Sequence, residues 1–77
     1  MAATSAPEGL FEALGDPVRR TLLRFLRDGE QPAGVLVALL QEQMTISQPS
    51  VSQHLKVLRD AGLLTVRAAG TKRFYAI

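Results

Sequence analysis

The sequence predicts a mainly α domain that ends in a small β-hairpin. Apolar residues recur at helical spacing through four consecutive segments, and proline, serine or glycine residues mark where these segments start or stop. After the fourth segment, two short runs rich in β-forming residues flank Ala69-Gly70-Thr71. The predicted order is therefore four helices, a strand, a turn and a second strand.

The first two helices are predicted at residues 8–14 and from Asp16-Pro17 onwards. The Asp16 carboxylate can cap free N–H groups, and proline suits the first turn of a helix. Asp28-Gly29 ends the second helix. Its apolar face is formed by Val18, Leu22, Phe25 and Leu26.

The third helix is predicted to open at Gln31-Pro32 and to end near Gln43. A short turn then leads to a fourth helix over residues 48–61, which Ser47 caps and Gly62 follows. The hairpin strands are predicted at residues 63–68 and 72–77. The apolar stripe of the third helix consists of Val35, Leu36, Leu39 and Leu40.

Length and composition indicate a single domain over residues 8–77, preceded by a disordered tail of small residues at 1–7. The chain of 77 residues contains no cysteine, which excludes a disulfide framework and thiolate metal sites. It also lacks a secretory signal and an apolar run long enough to span a membrane. We therefore expect a cytoplasmic protein without a membrane partner, a metal or a cofactor.

Charge is distributed unevenly along the chain. Residues 1–43 carry four arginines and six carboxylates, whereas residues 44–77 carry five lysines and arginines and one carboxylate, Asp60. A basic half of this kind is typical of a face that binds a polyanion, although a set of solvated charges would look the same.

The third and fourth helices are close enough to form a helix-turn-helix, in which the second helix enters the DNA major groove. Val51, Leu55 and Leu58 form its core stripe. Short hydroxyl and amide side chains on the other face suit base edges and phosphates better than a solvated surface, which would favour Glu, Lys and Arg. The predicted DNA contacts are Ser47, Gln48, Ser50, Ser52, Gln53 and Lys56.

The hairpin supplies a second predicted contact. Arg67, Lys72 and Arg73 bracket its turn and could bind the DNA backbone or minor groove as a wing. The alternative is a cationic edge strand that discourages aggregation. Phe74 and Tyr75 alternate faces, so one of them should pack on the core. The fold class is thus a winged helix-turn-helix of four helices and a two-stranded wing.

His54 is the only histidine, and it lies at the margin of the core stripe. Partial burial with one hydrogen bond is the favoured interpretation, ahead of a DNA contact or metal ligation. Asp16 and Arg19 are three residues apart, which favours a cap or an ion pair over chemistry. Without cysteine or converging paired carboxylates, the chain is not expected to be an enzyme.

Residues 10–26, LFEALGDPVRRTLLRFL, and 47–64, SQPSVSQHLKVLRDAGLL, followed by a Gly-centred wing and RFYAI, resemble the ArsR-type winged-helix repressors. The resemblance implies a bacterial homodimeric repressor that releases its operator when an effector binds. It places base contacts on Gln48, Ser50, Ser52 and Gln53, and wing contacts on Lys72 and Arg73.

Two departures qualify this resemblance. Metal-sensing members carry a Cys-x-Cys pair on the third helix, and this sequence has no cysteine there. The resemblance is therefore closer to the members without a metal, and it does not identify an effector. The family usually adds a C-terminal pairing helix, whereas this sequence stops at Ile77. Either dimerisation rests mainly on Leu10, Phe11 and Leu14, or the form is truncated, or it associates differently.

The sequence therefore predicts a transcriptional regulator that binds double-stranded DNA, with a repressor acting as a dimer as the favoured interpretation. The alternative is a winged helix that serves as a protein-interaction module, with the apolar first helix docking a partner.

Overall fold

The computed structural model describes residues 8–77; the predicted disordered tail at 1–7 lies outside the described residues. Over this range the chain forms four helices and a three-stranded sheet. The elements are α1 Glu8–Leu14, α2 Pro17–Phe25, β1 Gln31–Pro32, α3 Ala33–Gln43, α4 Gln48–Asp60, β2 Thr65–Ala69 and β3 Lys72–Ala76. The predicted fold class is confirmed, with one additional strand.

The start of α2 follows from its capping residue. The Asp16 carboxylate accepts hydrogen bonds from the N–H groups of Val18 at 2.7 Å and Arg19 at 3.2 Å. Regular helix ends at Phe25, earlier than predicted, and turns extend over residues 26–28 before Gly29. Two arginines of α2, Arg19 and Arg20, donate to the carbonyl oxygens of Glu12 and Leu14 and so fix the C-terminal end of α1.

Sequence-local signals also set both ends of α4. Ser47 is the N-cap, and its hydroxyl oxygen accepts from the Ser50 N–H at 3.2 Å. At the other end Gly62 has a φ of +80°, and the Leu63 N–H donates to the Leu58 carbonyl at 2.9 Å. This is a Schellman ending, which requires the left-handed backbone that glycine adopts without strain.

The prediction that Gln31-Pro32 opens the third helix is wrong. These residues form β1, which pairs antiparallel with β3, Gln31 opposite Tyr75 and Pro32 opposite Phe74. The residue before a proline is pushed towards extended backbone, and Pro32 itself is extended, with φ −69° and ψ 151°. The sheet order is β1-β3-β2, so the wing has three strands rather than two, and β2 begins at Thr65 rather than Leu63.

The core lies where α2, α3 and α4 meet beneath the sheet. The predicted stripe of α4 is confirmed, since Val51, Leu55 and Leu58 are buried. The predicted stripe of α3 is confirmed at Leu36 and Leu40 but wrong at Val35, which lies in the first turn and is 39% exposed. Leu39 is only half-buried, and Val37 packs against the core instead. The other buried apolar residues are Ala13, Leu22, Leu26, Leu36, Leu40, Leu64 and Tyr75.

Tyr75 faces the core and Phe74 is half-buried on the opposite face of the sheet, as the alternation predicted. Within residues 8–77, no helix has the length and apolar character needed to cross a membrane.

Candidate nucleic-acid interface

The exposed face of α4 carries the residues that the sequence predicted. Because Val51, Leu55 and Leu58 anchor the helix in the core, the opposite side chains are held in solvent. All six predicted residues are exposed: Ser47, Gln48, Ser50, Ser52, Gln53 and Lys56. The face is thus physically able to meet a duplex, although the DNA contact of each residue remains a prediction.

The leading turn of α4 is favourable for an anion. It contains no acidic residue, and Pro49 occupies one of its first positions. The positive end of the helix dipole lies at this end, although the Ser50 N–H is already used by the Ser47 cap and Pro49 has no N–H. The turn before it is held by Gln41, whose side-chain amide donates to the Ile46 carbonyl at 3.1 Å. Sequence reasoning missed Gln41, because the signal depends on the conformation of the turn.

The wing tip presents two cations in solvent. Gly70, with a φ of +64°, makes the turn, and the neighbouring Ala68 and Ala69 leave it free of bulk. Lys72 and Arg73 follow directly on β3 and are exposed. In the part of the chain that the structure describes, neither takes part in an ion pair.

An open cleft of about 780 Å³ lies between the wing and α4. Lys56 and Arg59 line it from α4, and Lys72 and Arg73 line it from the wing, with no carboxylate among the lining residues. The fold thus brings together cations that are far apart in the sequence, as a phosphate backbone requires. Arg59 was missed by sequence reasoning, although its spacing from Ser52 and Lys56 places it on the same helical face.

Lys56 differs from the wing cations because it already has a partner. Its ammonium group lies 2.8 Å from the Asp60 carboxylate, one helical turn away. The hydrogen bond from Lys56 lowers the pKa of Asp60 below its ordinary value. Since both side chains are more than half exposed, this pair can exchange for a phosphate at little cost.

Arg67 is also paired. Its Nε and Nη2 atoms donate to the two carboxylate oxygens of Glu30 at 2.9 Å and 2.8 Å, and its guanidinium lies 4.6 Å from the centre of the Phe74 ring. This hydrogen bonding lowers the pKa of Glu30 and raises that of Arg67. A DNA contact by Arg67 stays a prediction. Glu30 was missed, because it is 37 residues away from its partner.

The predicted dimer residues lie on α1 and are not all equivalent. Ala13 is fully buried and docks the helix, whereas Phe11 is 65% and Leu14 37% exposed. Leu10 is half-buried. The helix therefore presents an apolar face to solvent, and its use in a dimer stays a prediction.

His54 is half-buried and accepts one hydrogen bond, as predicted: its Nδ1 lies 3.1 Å from Arg19 Nε. Because Arg19 also binds the Glu12 carbonyl, this side chain connects α1, α2 and α4. Among residues 8–77 there is no cluster of three or more His, Cys, Asp or Glu side chains placed to hold a metal ion. The interaction of His54 is thus a structural one.

Comparison with known proteins agrees with this geometry. A family model described as a helix-turn-helix domain matches residues 14–67. The HTH-type transcriptional regulator Rv2034 of Mycobacterium tuberculosis is 38% identical over all 77 residues, which span 68% of that protein. The transcriptional repressor SdpR of Bacillus subtilis is 34% identical over a segment that covers 88% of this chain and 71% of SdpR.

Solved structures show the same fold. The crystal structure of the ArsR family transcriptional regulator RHA00566 superposes with a TM-score of 0.79 at 32% identity, covering 90% of this chain and 71% of that one. HlyU from Vibrio cholerae superposes with a TM-score of 0.80 at 33% identity, over the same shares of the two chains. The chain therefore belongs to the ArsR family of winged helix-turn-helix transcriptional regulators, whose members are not enzymes.

Proposed function

We propose that the protein is a transcriptional repressor that inserts α4 into the major groove of double-stranded DNA and lays its wing along the backbone or minor groove. The observation that carries this proposal is the exposed polar face of α4, which stands beside a cleft lined by four cations and no carboxylate. The relatives are named as transcriptional regulators and repressors, which supports DNA binding and gives no support to a protein-interaction module.

The side chains divide by what they can recognise. Gln48 and Gln53 can hydrogen-bond to the edges of bases, and glutamine pairs well with adenine. Ser47, Ser50 and Ser52 can reach phosphates or bases, and the N-terminal end of α4 attracts a phosphate. Lys72 and Arg73 supply sequence-independent attraction to the backbone.

We further propose that the protein binds as a homodimer through the exposed apolar face of α1. Phe11 and Leu14 are the exposed residues that favour this face. A twofold dimer would place its recognition helices on two half-sites about 34 Å apart, or a multiple of that distance. An inverted-repeat operator is the expected target.

We propose a bacterial cytoplasmic location, where chromosomal DNA is found. We propose a small molecule or a protein as the effector, and residues 1–77 supply it with no thiolate ligand. No cofactor is proposed.

Selection of genomic fragments that the protein retains, followed by sequencing and mobility shifts, tests the function. We expect recovery of an inverted repeat and an affinity that falls steeply with added salt, in proportion to the phosphates neutralised. If the protein retained no duplex from the pool even at low salt, the proposal would be wrong.

A further inference from the structure

The outer face of the sheet carries a cluster that we call the wing clamp, defined as Glu30, Arg67 and Phe74. Both oxygens of Glu30 are engaged by the guanidinium of Arg67, at 2.8 Å and 2.9 Å. The same guanidinium lies over the Phe74 ring, 4.6 Å from its centre. A planar cation held at once by a bidentate carboxylate and an aromatic face has a defined orientation.

The clamp crosses the whole sheet. Arg67 lies on β2 and pairs in register with Phe74 on β3, and Glu30 directly precedes β1 on the far side of β3. The Arg67 side chain therefore spans the central strand and connects the two outer ones. Beyond it lie only the pairs of Ala68 with Arg73 and of Ala69 with Lys72. The clamp thus fixes the sheet at the point from which the cationic tip projects.

We propose that Arg67, a DNA contact in the sequence prediction, is instead a positioning residue for DNA binding and not itself a phosphate contact. This rests on the proposed function of the wing. The positive charge of Arg67 is balanced by Glu30, its Nε and Nη2 atoms donate to that carboxylate, and its guanidinium lies over the Phe74 ring. Lys72 and Arg73 have no such partners among residues 8–77 and are the cations that the clamp directs towards DNA.

Charge makes the two possible roles of Arg67 separable. If Arg67 contacted DNA, removal of Glu30 would free a cation and remove a repulsive anion, so binding would tighten. If Arg67 positions the wing, removal of Glu30 loosens the tip, so binding weakens although the protein becomes more positive. The salt dependence adds a second criterion, because only a residue that neutralises a phosphate changes its slope.

The experiment compares Glu30→Ala, Arg67→Ala, Arg67→Lys and the double alanine variant on a mixed-sequence DNA duplex. Glu42→Ala is the matched control, since it removes one exposed carboxylate from α3. We expect Glu30→Ala and Arg67→Ala each to weaken binding about twofold to fivefold, the upper part of the range for exposed ion pairs. The double variant should bind DNA no more weakly than Arg67→Ala. In every variant, the slope of log affinity against log salt should match that of the wild type.

Arg67→Lys keeps the positive charge but loses the paired N–H donors that bind the Glu30 carboxylate, so we expect it to weaken DNA binding as much as Arg67→Ala. Amide hydrogen exchange at residues 68–72 should be faster in the clamp variants and unchanged in Glu42→Ala. The proposal would be overturned if Glu30→Ala bound DNA more tightly than the wild type. It would also be overturned if Arg67→Ala reduced the slope of log affinity against log salt by about 0.9, or if amide exchange were unchanged in the clamp variants. If the wild type bound no duplex, the proposed function would fail, whereas the exchange measurement would still decide whether the clamp exists.

Discussion

Individual side chains of the interface have different tasks because their surroundings differ. Gln53 projects from a helix whose opposite face is buried in the core, so its backbone is held in a fixed position. Lys72 stands on a hairpin tip, free of ion pairs in the described part of the chain. The first arrangement suits the recognition of one base pair, and the second suits attraction to any phosphate.

Gln53→Ala tests base recognition. We expect a loss of about 1–3 kcal/mol of discrimination at a single base pair, because the variant removes one bidentate hydrogen-bonding group. Competition binding with operators altered one position at a time measures this loss. Gln43→Ala, at an exposed glutamine on the last turn of α3, is the control and should leave discrimination unchanged. Equal discrimination by both variants would contradict the assignment of Gln53.

Lys72→Ala tests the wing. We expect affinity to fall alike for all sequences, with the slope of log affinity against log salt reduced by about 0.9, because the variant neutralises one phosphate fewer. Lys72→Arg should retain both affinity and slope. A weakening confined to particular sequences would show instead that Lys72 reads bases.

At the scale of helices and strands, stability depends on how each helix begins. Asp16 caps α2 through two backbone hydrogen bonds. Burial would raise the pKa of Asp16, but the hydrogen bonds from the N–H groups of Arg19 and Val18 and the nearby positive charge lower it below its ordinary value of 3.8. The cap therefore stabilises the fold most when the carboxylate is ionised.

Asp16→Ala should lower the free energy of unfolding by about 1 kcal/mol at neutral pH, the usual loss for an N-cap. Because the pKa is depressed in the folded state, the part of this contribution that depends on ionisation is fully present above pH 3.8 and disappears as the pH falls through the lower, folded value. Urea unfolding at neutral and at strongly acidic pH measures it. Asp28→Ala, in the turn after α2, is the control. A difference between Asp16→Ala and wild type that did not become smaller in strong acid would contradict the explanation.

The elements that the sequence predicted are those whose signals are local. Ser47 and Gly62 bracket α4 within one residue of its observed end, since a cap and a left-handed glycine act on their own helix. Strand β1 could not be predicted, because two residues show no periodicity and their pairing depends on β3, more than forty positions away. The pair of Glu30 with Arg67 was missed for the same reason.

The exposure of Val35 also lies beyond a pattern argument. Helical spacing places it beside Leu36 and Leu39, but its burial depends on which neighbouring element covers the first turn of α3. In the structure that turn lines the open cleft, so Val35 remains 39% exposed. The position of the exposed face of α4 was predictable, whereas the cleft between α4 and the wing required the fold.

At the scale of the whole molecule, the chain separates its two proposed surfaces. Cations from α4 and the wing surround the cleft, whereas α1 presents an apolar face. Arg19 connects these regions, because it binds both the Glu12 carbonyl of α1 and His54 of α4. Of the described residues, none on α1 lines the cleft, so association through α1 would leave the cationic cleft free to bind DNA.

Phe11→Asp tests this association. We expect the wild type to form a dimer and the variant to weaken dimerisation about tenfold or more, because a large apolar side chain would no longer be buried there. Sedimentation over a range of concentrations measures the change. Ile77→Asp is the matched control, since Ile77 is 67% exposed and Phe11 65%. If both variants sedimented like the wild type, α1 would not be the dimer interface.

The two-residue strand β1 also protects the protein against fibrous aggregation. An open sheet edge offers unpaired donors and acceptors on which a neighbouring chain can add a strand. Here one of the two edge residues is Pro32, which has no N–H to offer, and the chain turns into α3 immediately after it. Molecules crowded together at high concentration therefore find almost no template on that side of the sheet.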